Sequence, residues 1–470
     1  MAVDWRQATL TGWGRSTTVS TRVAVPGDDG EVREALEAGA PVLAYGNCRS
    51  YGDAHLPCDG RGISTARLDR VVSFDEASGE IVCESGVTFA RLLREYLPRG
   101  WRVPVTPGTA FASVGGAVAN DVHGKNHDRR GSFGDHVVWL DLMAASGEIV
   151  RISHAEEPEL FAATIGGVGL TGVILRVAFR MDRVPSAFMR IREQRISDLD
   201  AYLTALAEAR EGAAYSVGWI DALQRGARMG RGILETADVT AEGGLAGEPE
   251  RSLRVPFDFP RVALNHLTVR AFNEAYFRRV PANGRERISH AAQFFYPLDA
   301  LHDWNRIYGR RGFHQFQCVI PDAEAARGMQ RLLETVSAAG RGSFLAVLKT
   351  LGGEGRGHLS FPMRGLTLAL DFPCSEGVSE LMRRLETITL DHGGRIYLAK
   401  DSSLSAAGFR RMYPKLGQFA DVLERWDPQG RFRSLMASRL CIRGLNASGS
   451  PPDGPISVKV RPTNLEGLSR

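Results

Sequence analysis

The sequence has no C-x-x-C pair, and its six cysteines (Cys48, Cys58, Cys83, Cys318, Cys374 and Cys441) are scattered over 470 residues. That spacing argues against a zinc ribbon or a disulfide framework. No apolar run reaches about 18 residues, so no membrane span is expected. The opening stretch, MAVDWRQATLTGWGRS, lacks the charged-then-apolar pattern of a signal peptide. The cytoplasm is the expected compartment. Neither a G-x-S-x-G elbow nor a P-loop occurs, and GGEGRGH at 352–358 lacks the Lys-Ser/Thr ending that a P-loop needs. Serine-nucleophile hydrolysis and phosphoryl transfer therefore have no support. The net charge of +4 is too small an excess to point to nucleic acid.

What is present is length enough for two domains and a change of texture near residue 183. Before it, short strands and helices alternate between glycine-rich turns. RVAVP, PVLAYG, EIVCESGV, GEIVRIS and VILRVAFRM read as strands. Asp28 is placed to cap a helix that ends at Gly39, and TFARLLREYL (88–97) has helical spacing at Phe89, Leu92, Leu93 and Leu97. After residue 183 the strands lengthen and become aromatic: YSVGWID, AQFFYP, FHQFQCVIP, SFLAVLKT and LTLALDF. Helices are expected at 198–210, 322–339 and 376–391, giving a sheet with helices packed on it. The polar, glycine-rich stretch 224–260 reads as a loop or an inserted strand pair.

Three runs bear on chemistry. GVGLTG (167–172) matches the dinucleotide fingerprint letter for letter, with Glu193 downstream as a candidate ribose acid. Its flanks run helix then strand, the reverse of the order a Rossmann turn requires, so that reading is rejected. HGKNH places His123 and His127 four apart, but a glycine-rich setting without an adjacent glutamate does not make a zincin helix. PGTAFASVGGAVANDVHGKN (107–126) is dominated by small residues with polar tips. Exposed backbone N–H groups in such a run suit a large polar ligand carrying a pyrophosphate.

Taken together, AYGNCRSYGD (44–53), PGTAFASVGGAVANDVHGKNH, GSFGDHV, TIGGVGLTGVILR, AQFFYPLDALHDWNRIYGRRGFHQFQCVIP and YLAKDSS occur in this order. This set resembles FAD-binding oxidoreductases of the vanillyl-alcohol-oxidase type. The likeness runs from Gly12 to Leu440, with 224–260 and the tail outside it. It implies an α+β flavoenzyme. An FAD-binding domain at 1–182 would be completed by a return at 394–445. A substrate domain with a large antiparallel sheet would lie between them at 183–393, and 446–470 would be a disordered tail.

The resemblance also implies site residues. Gly46, Asn47, Cys48, Arg49, Ser50 and Tyr51 would cradle the FAD pyrophosphate. Gly108, Thr109, Ser113, Val114, Gly115, Gly116, Ala117, Asn120, His123, Gly124 and Asn126 would line the rest of the cofactor. Gly172 and Ile174 would sit near its adenosine end, and Tyr397 would touch the flavin. Relatives that bind FAD covalently use a histidine where this chain has Arg49 and a cysteine where it has Ala110, so non-covalent FAD is expected.

On the substrate side, Lys400 would lie between flavin and substrate, while Lys125, Trp219, Gln315, Gln317 and Lys349 match pocket positions. Two places depart from the nearest pattern. A tyrosine-histidine pair is Phe295-Tyr296 here, and an asparagine and a cysteine are Thr367 and Ala369. Tyr296, Lys400 and Tyr51 are the candidate catalytic bases.

The expected reaction is oxidation of a secondary hydroxyl on a sugar or glycosyl substrate, such as a polyprenyl-phosphate ribose or a specialised-metabolite sugar. Its rivals are oxidation of a sugar lactone or sugar acid, and a flavoprotein without turnover. The expected partners are a small glycosyl substrate and a reductase completing an epimerisation. No nucleic acid is expected, and arginines in 251–287 could make a peripheral membrane contact.

Overall fold

The computed structural model describes residues 3–37, 39–247, 253–260, 263–342 and 344–443. The tail expected at 446–470 lies outside the described residues. In the first part of the chain, Asp28 Oδ1 accepts from Glu31 N at 2.9 Å and opens the helix Asp29–Glu37. Gly39, at φ +76°, follows its end. The strand Arg61–Ser64 runs parallel to both Thr18–Ala24 and Val42–Tyr45, and Arg6–Thr11 adds antiparallel to Thr18–Ala24.

A second, five-stranded antiparallel sheet is ordered Val71–Phe74, Glu80–Glu84, Val173–Arg180, Val137–Met143, Ile149–Ser153. Thr88 caps the helix Phe89–Tyr96 over it, burying Phe89, Leu92 and Tyr96. GVGLTG joins the helix Pro158–Thr164 to the strand Val173–Arg180, so the glycines sit in a helix-to-strand turn, as the flanking sequence predicts.

The second half is built on eight antiparallel strands. Their order is Arg285–His290, Phe188–Ile196, Gly232–Val239, Tyr215–Ile220, Ala346–Leu351, Gly365–Pro373, Phe313–Pro321, Arg395–Ile396. The helices Leu199–Gly212, Ala325–Ala339 and Val378–Asp391 pack on it. The cross-strand register sets Gln315 opposite Asp371, Gln317 opposite Ala369, Lys349 opposite Thr367, and Trp219 opposite Val347. Because side chains alternate with period two, Gln315, Gln317, Thr367, Ala369 and Asp371 fall on one face.

Two expectations are corrected. AQFFYP is not a strand: Ala291–Phe295 is a short helix, opened where His290 Nδ1 accepts from Ala292 N. A short consecutive apolar run does not distinguish a buried helix turn from a strand. The stretch 224–260 is not simply a loop either. Gly232–Val239 is an interior strand, paired on one side with Phe188–Ile196 and on the other with Tyr215–Ile220. Its Glu235 lines the cavity and, with Thr236, interrupts the apolar run that would mark a strand.

The strands Phe188–Ile196 and Arg285–His290 are likewise hidden by charge. Arg190 and Arg192 reach across to Glu286 at 2.7 and 2.9 Å. Glu193, the rejected ribose acid, is buried beneath Arg279, Arg285 and Arg287.

After Ile396 the chain leaves the large sheet, slightly beyond the 393/394 boundary expected from the resemblance. It then returns to the first half, where Phe432 bridges Val42 and Ser434 bridges Pro57. Among the described residues, no helix is long and apolar enough to cross a membrane.

Candidate active site

Between the two halves lies a cavity of about 720 Å³. The eight-stranded sheet supplies one wall through Trp219, Gln315, Gln317, Lys349, Thr367 and Ala369, and the glycine-rich loops of the first half supply the opposite wall. Almost every residue singled out from the sequence lines it: 46–51, Gly108, Thr109, Ser113, Gly115, Gly116, Ala117, Asn120, His123, Gly124, Lys125, Gly172, Ile174, Phe295, Tyr397 and Lys400. Val114 and Asn126 stand behind the lining. Val114 is a buried core residue, and Asn126 Nδ2 donates to Pro104 O at 2.8 Å.

Tyr296 is also not among the lining residues. It is buried beside the Thr106 hydroxyl, and burial raises its phenol pKa.

The first-half wall is shaped for a large polar ligand. A Cβ on Gly46 would come 2.1 Å from Ser113 Oγ, and one on Gly115 2.6 Å from Ser85 Cβ, so both close approaches depend on glycine. Cys48 takes φ +50° at the tip of the first loop. Ser113 Oγ caps the helix Val114–Ala119 by accepting from Gly116 N at 3.3 Å.

Several buried polar atoms around the wall have no protein partner, among them Ser85 Oγ, Asn120 Oδ1 and His123 Nδ1. A buried polar group without a partner is costly. These atoms and the glycine cradle fit a cofactor rich in acceptors and donors, such as FAD.

Arg49 lies with its guanidinium 4.4 Å from the Trp13 ring and 5.1 Å from the Phe111 ring. Burial holds the Cys48 thiol up at about 11, with Arg49 opposing. A protonated thiol is a poor nucleophile. Acid precipitation of the yellow protein is expected to release all the flavin into the supernatant; colour retained in the pellet would show a covalent bond.

Three half-buried lysines line the cavity. Burial lowers Lys125 to about 8, with Arg287 adding and Glu235 opposing. Lys349 falls to about 7 through burial and the nearby Lys125, and its Nζ donates to Gly124 O at 3.0 Å. Lys400 falls to about 7 through burial, reinforced by Lys349 and opposed by Asp371. Its ammonium sits 3.5 Å from the centroid of the Tyr51 ring.

Asp371 is raised to about 7 by burial, against hydrogen bonds from Gln315 Nε2 at 2.6 Å and the Tyr308 hydroxyl at 3.0 Å. Tyr51 is held well above its ordinary value, by burial first and then by Asp371, so its phenol stays protonated. Of the three candidate bases, only Lys400 both lines the cavity and can lose its proton near neutrality. Gln317 Nε2 lies 3.0 Å from His123 Nε2 and donates to Thr367 Oγ1 at 3.2 Å. His127 Nδ1 accepts from Gly352 N at 2.9 Å.

Sequence reasoning missed the groups that hold this constellation. Asp371 lies two and four residues beyond Ala369 and Thr367, so a period-two reading of LTLALDF would have found it. Arg439 carries no comparable signal. It pairs bidentately with Asp53 at 2.9 and 2.8 Å and reaches Asp401 at 2.8 Å. It thereby ties the loop bearing Tyr51 to the loop bearing Lys400. Between them Tyr51 N donates to Ala399 O at 2.9 Å, and a Cβ on Gly52 would come 1.7 Å from Asp401 O.

Residues 22–153 match the FAD binding domain family, and residues 368–440 match the D-arabinono-1,4-lactone oxidase family. Decaprenylphosphoryl-beta-D-ribose oxidase of Mycolicibacterium smegmatis is 34% identical over 447 residues, 92% of this chain and 97% of that protein. L-gulonolactone oxidase of Mus musculus is 22% identical over 432 residues, 87% of this chain and 92% of that protein. The chain belongs to the family of FAD-binding oxidoreductases that includes the mycobacterial oxidase, and FAD is its cofactor.

Proposed function

We propose that this protein oxidises a secondary hydroxyl of a sugar or glycosyl substrate to a ketone. The observation that carries the reading is the placement of Lys400: a half-buried amine against Tyr51, at the seam where the cofactor loops meet a sheet wall of hydrogen-bonding side chains. Bound FAD would supply the hydride acceptor. Gln315, Gln317, Lys349 and Thr367 would orient the hydroxyls of the substrate. Lys400 Nζ would take the proton of the reacting hydroxyl, which requires its neutral form. The rate of flavin reduction is therefore expected to rise as pH passes through about 7. A rate that falls over that window would assign the ammonium, not the amine, as the active form.

The domain division at 182/183 and 393/394, the vanillyl-alcohol-oxidase type of fold, and a reductase that takes the ketone onward belong to the same proposal. Thr367 and Ala369 face the cavity, and Phe295 also lines it, so the substrate is read by a less polar set than the nearest pattern provides. The test is anaerobic addition of a panel of glycosyl alcohols and sugar lactones to the flavin-loaded protein. Bleaching by a glycosyl alcohol supports the reading, and bleaching by lactones alone would replace it with lactone oxidation.

A further inference from the structure

The eight-stranded sheet turns one acidic side chain into the cavity that the chemistry at Lys400 does not use. Across the sheet Thr367 pairs with Lys349, Val217 with Glu235, and Glu235 with Glu193. Gly218 pairs with Leu348, which sets Val217 opposite Lys349 at the next position of that register. Directly opposed residues share a face of a sheet. Thr367, Lys349, Val217 and Glu235 therefore form one row, and all four line the cavity. Glu235 stands two strands from Lys349, about 10 Å at the usual strand spacing. A single sugar ring held by Lys349 and Thr367 does not reach that far.

A neutral residue at 235 would spare the sheet a repulsion, because Glu235 opposes Glu193 directly and like charges so placed are destabilising. Among the described residues, Glu193 pairs with Arg279, Arg285 and Arg287, whereas Glu235 pairs with Arg279 alone, at 2.8 Å. A carboxylate has about four acceptor sites, so Glu235 keeps most of its capacity for a ligand. A local rule broken in the wall of a cavity points to function.

The neighbours define the ligand. Trp219 and Tyr276, the latter from the helix His266–Arg278, line the same end with ring centroids 4.8 Å apart. A carboxylate beside aromatic faces matches the hydroxyls and the C–H face of a sugar. A phosphate would meet the Glu235 charge. The cations that could attract one are turned elsewhere, Arg287 to Glu193 and Lys125 Nζ to Phe294 O. An amine would meet Lys125 and Arg287, which both line the cavity.

We propose that Glu235, Trp219 and Tyr276 form a subsite for a second, uncharged sugar ring, so that the substrate is a glycoside of at least two rings. This rests on the reading that the protein oxidises a glycosyl alcohol. The test is equilibrium dialysis of the flavin-loaded protein, reduced beforehand with dithionite so that no hydride transfer occurs. The probes are methyl β-D-ribofuranoside, methyl β-D-glucopyranoside, the disaccharides that extend each by one hexose, and ribose 5-phosphate. At least one disaccharide should bind about tenfold or more tightly than its methyl glycoside. Glu235→Ala should bring that ratio close to one, and Glu235→Gln, which keeps the shape of the side chain, should lower it several-fold. Disaccharides that do not bind, or bind no more tightly than the methyl glycosides, would overturn the subsite, as would a ratio that survives both variants. Tightest binding of ribose 5-phosphate, strengthened by Glu235→Gln, would also overturn it and assign this end to an anion. Since no turnover is involved, a subsite that holds while no glycosyl alcohol bleaches the oxidised flavin would refute the oxidation reading alone.

Discussion

Replacing Lys400 by methionine is expected to slow flavin reduction by about 10²–10⁴-fold, while the protein remains yellow. Methionine keeps an unbranched stem against the Tyr51 ring and removes the proposed acceptor of the hydroxyl proton. Tyr51 stays protonated, and Tyr296 is not at the cavity wall.

The fold should not suffer from the change. Lys400 titrates at 10.5 when unfolded and at about 7 when folded. Between those values the unfolded chain binds the extra proton, so this group destabilises the folded state most below about pH 7, and that penalty is relieved as pH rises toward 10.5. Lys400→Met is therefore expected to melt no lower than the wild type at neutral pH, and stopped-flow reduction with thermal melts separates the two readouts. Wild-type reduction in the variant would remove Lys400 from the mechanism.

Arg439→Met should have the largest effect on stability, about 3–5 kcal/mol. Asp53 and Asp401 are both buried, and Arg439 is the cation that each of them meets. Without it two carboxylates face one another across the seam between the loop bearing Tyr51 and the loop bearing Lys400. Asp401 also accepts from Ser403 N and Leu404 N, each at 2.8 Å, so it is not free to turn away. The variant should lose flavin more readily and melt lower, and Arg439→Lys should restore only part of the loss because a lysine does not reproduce the bidentate pairing. A melting temperature and flavin affinity equal to wild type would show that the clamp does not hold these loops.

How far the sequence carried depends on the scale of the signal. The cofactor wall was legible because its requirements are local. A glycine at 46 or 115 is demanded by the close approach of the Ser113 and Ser85 side chains, and small residues with polar tips between 107 and 126 leave little else for that stretch to do. The helix Phe89–Tyr96 was legible for the same reason, through its spacing and its Thr88 cap.

The sheet wall was legible only in part. Gln315, Gln317, Lys349, Thr367 and Ala369 were named through resemblance, but their common face depends on the register of three strands. Gly232–Val239 was hidden because Glu235 and Thr236 interrupt its apolar run. Phe188–Ile196 and Arg285–His290 were hidden because their charges are satisfied across strands. Arg439 was out of reach, since its partners lie 386 and 38 residues away in sequence.

The most direct test of the central claim combines an isotope with a colour. A glycosyl alcohol that bleaches the flavin anaerobically is prepared with deuterium on the carbinol carbon, and reduction is followed by stopped flow with analysis of the product. The account predicts a several-fold slower reduction with deuterium and one ketone formed for each flavin reduced. Failure of every glycosyl alcohol to bleach the flavin, or bleaching with no isotope effect and no ketone, would contradict it.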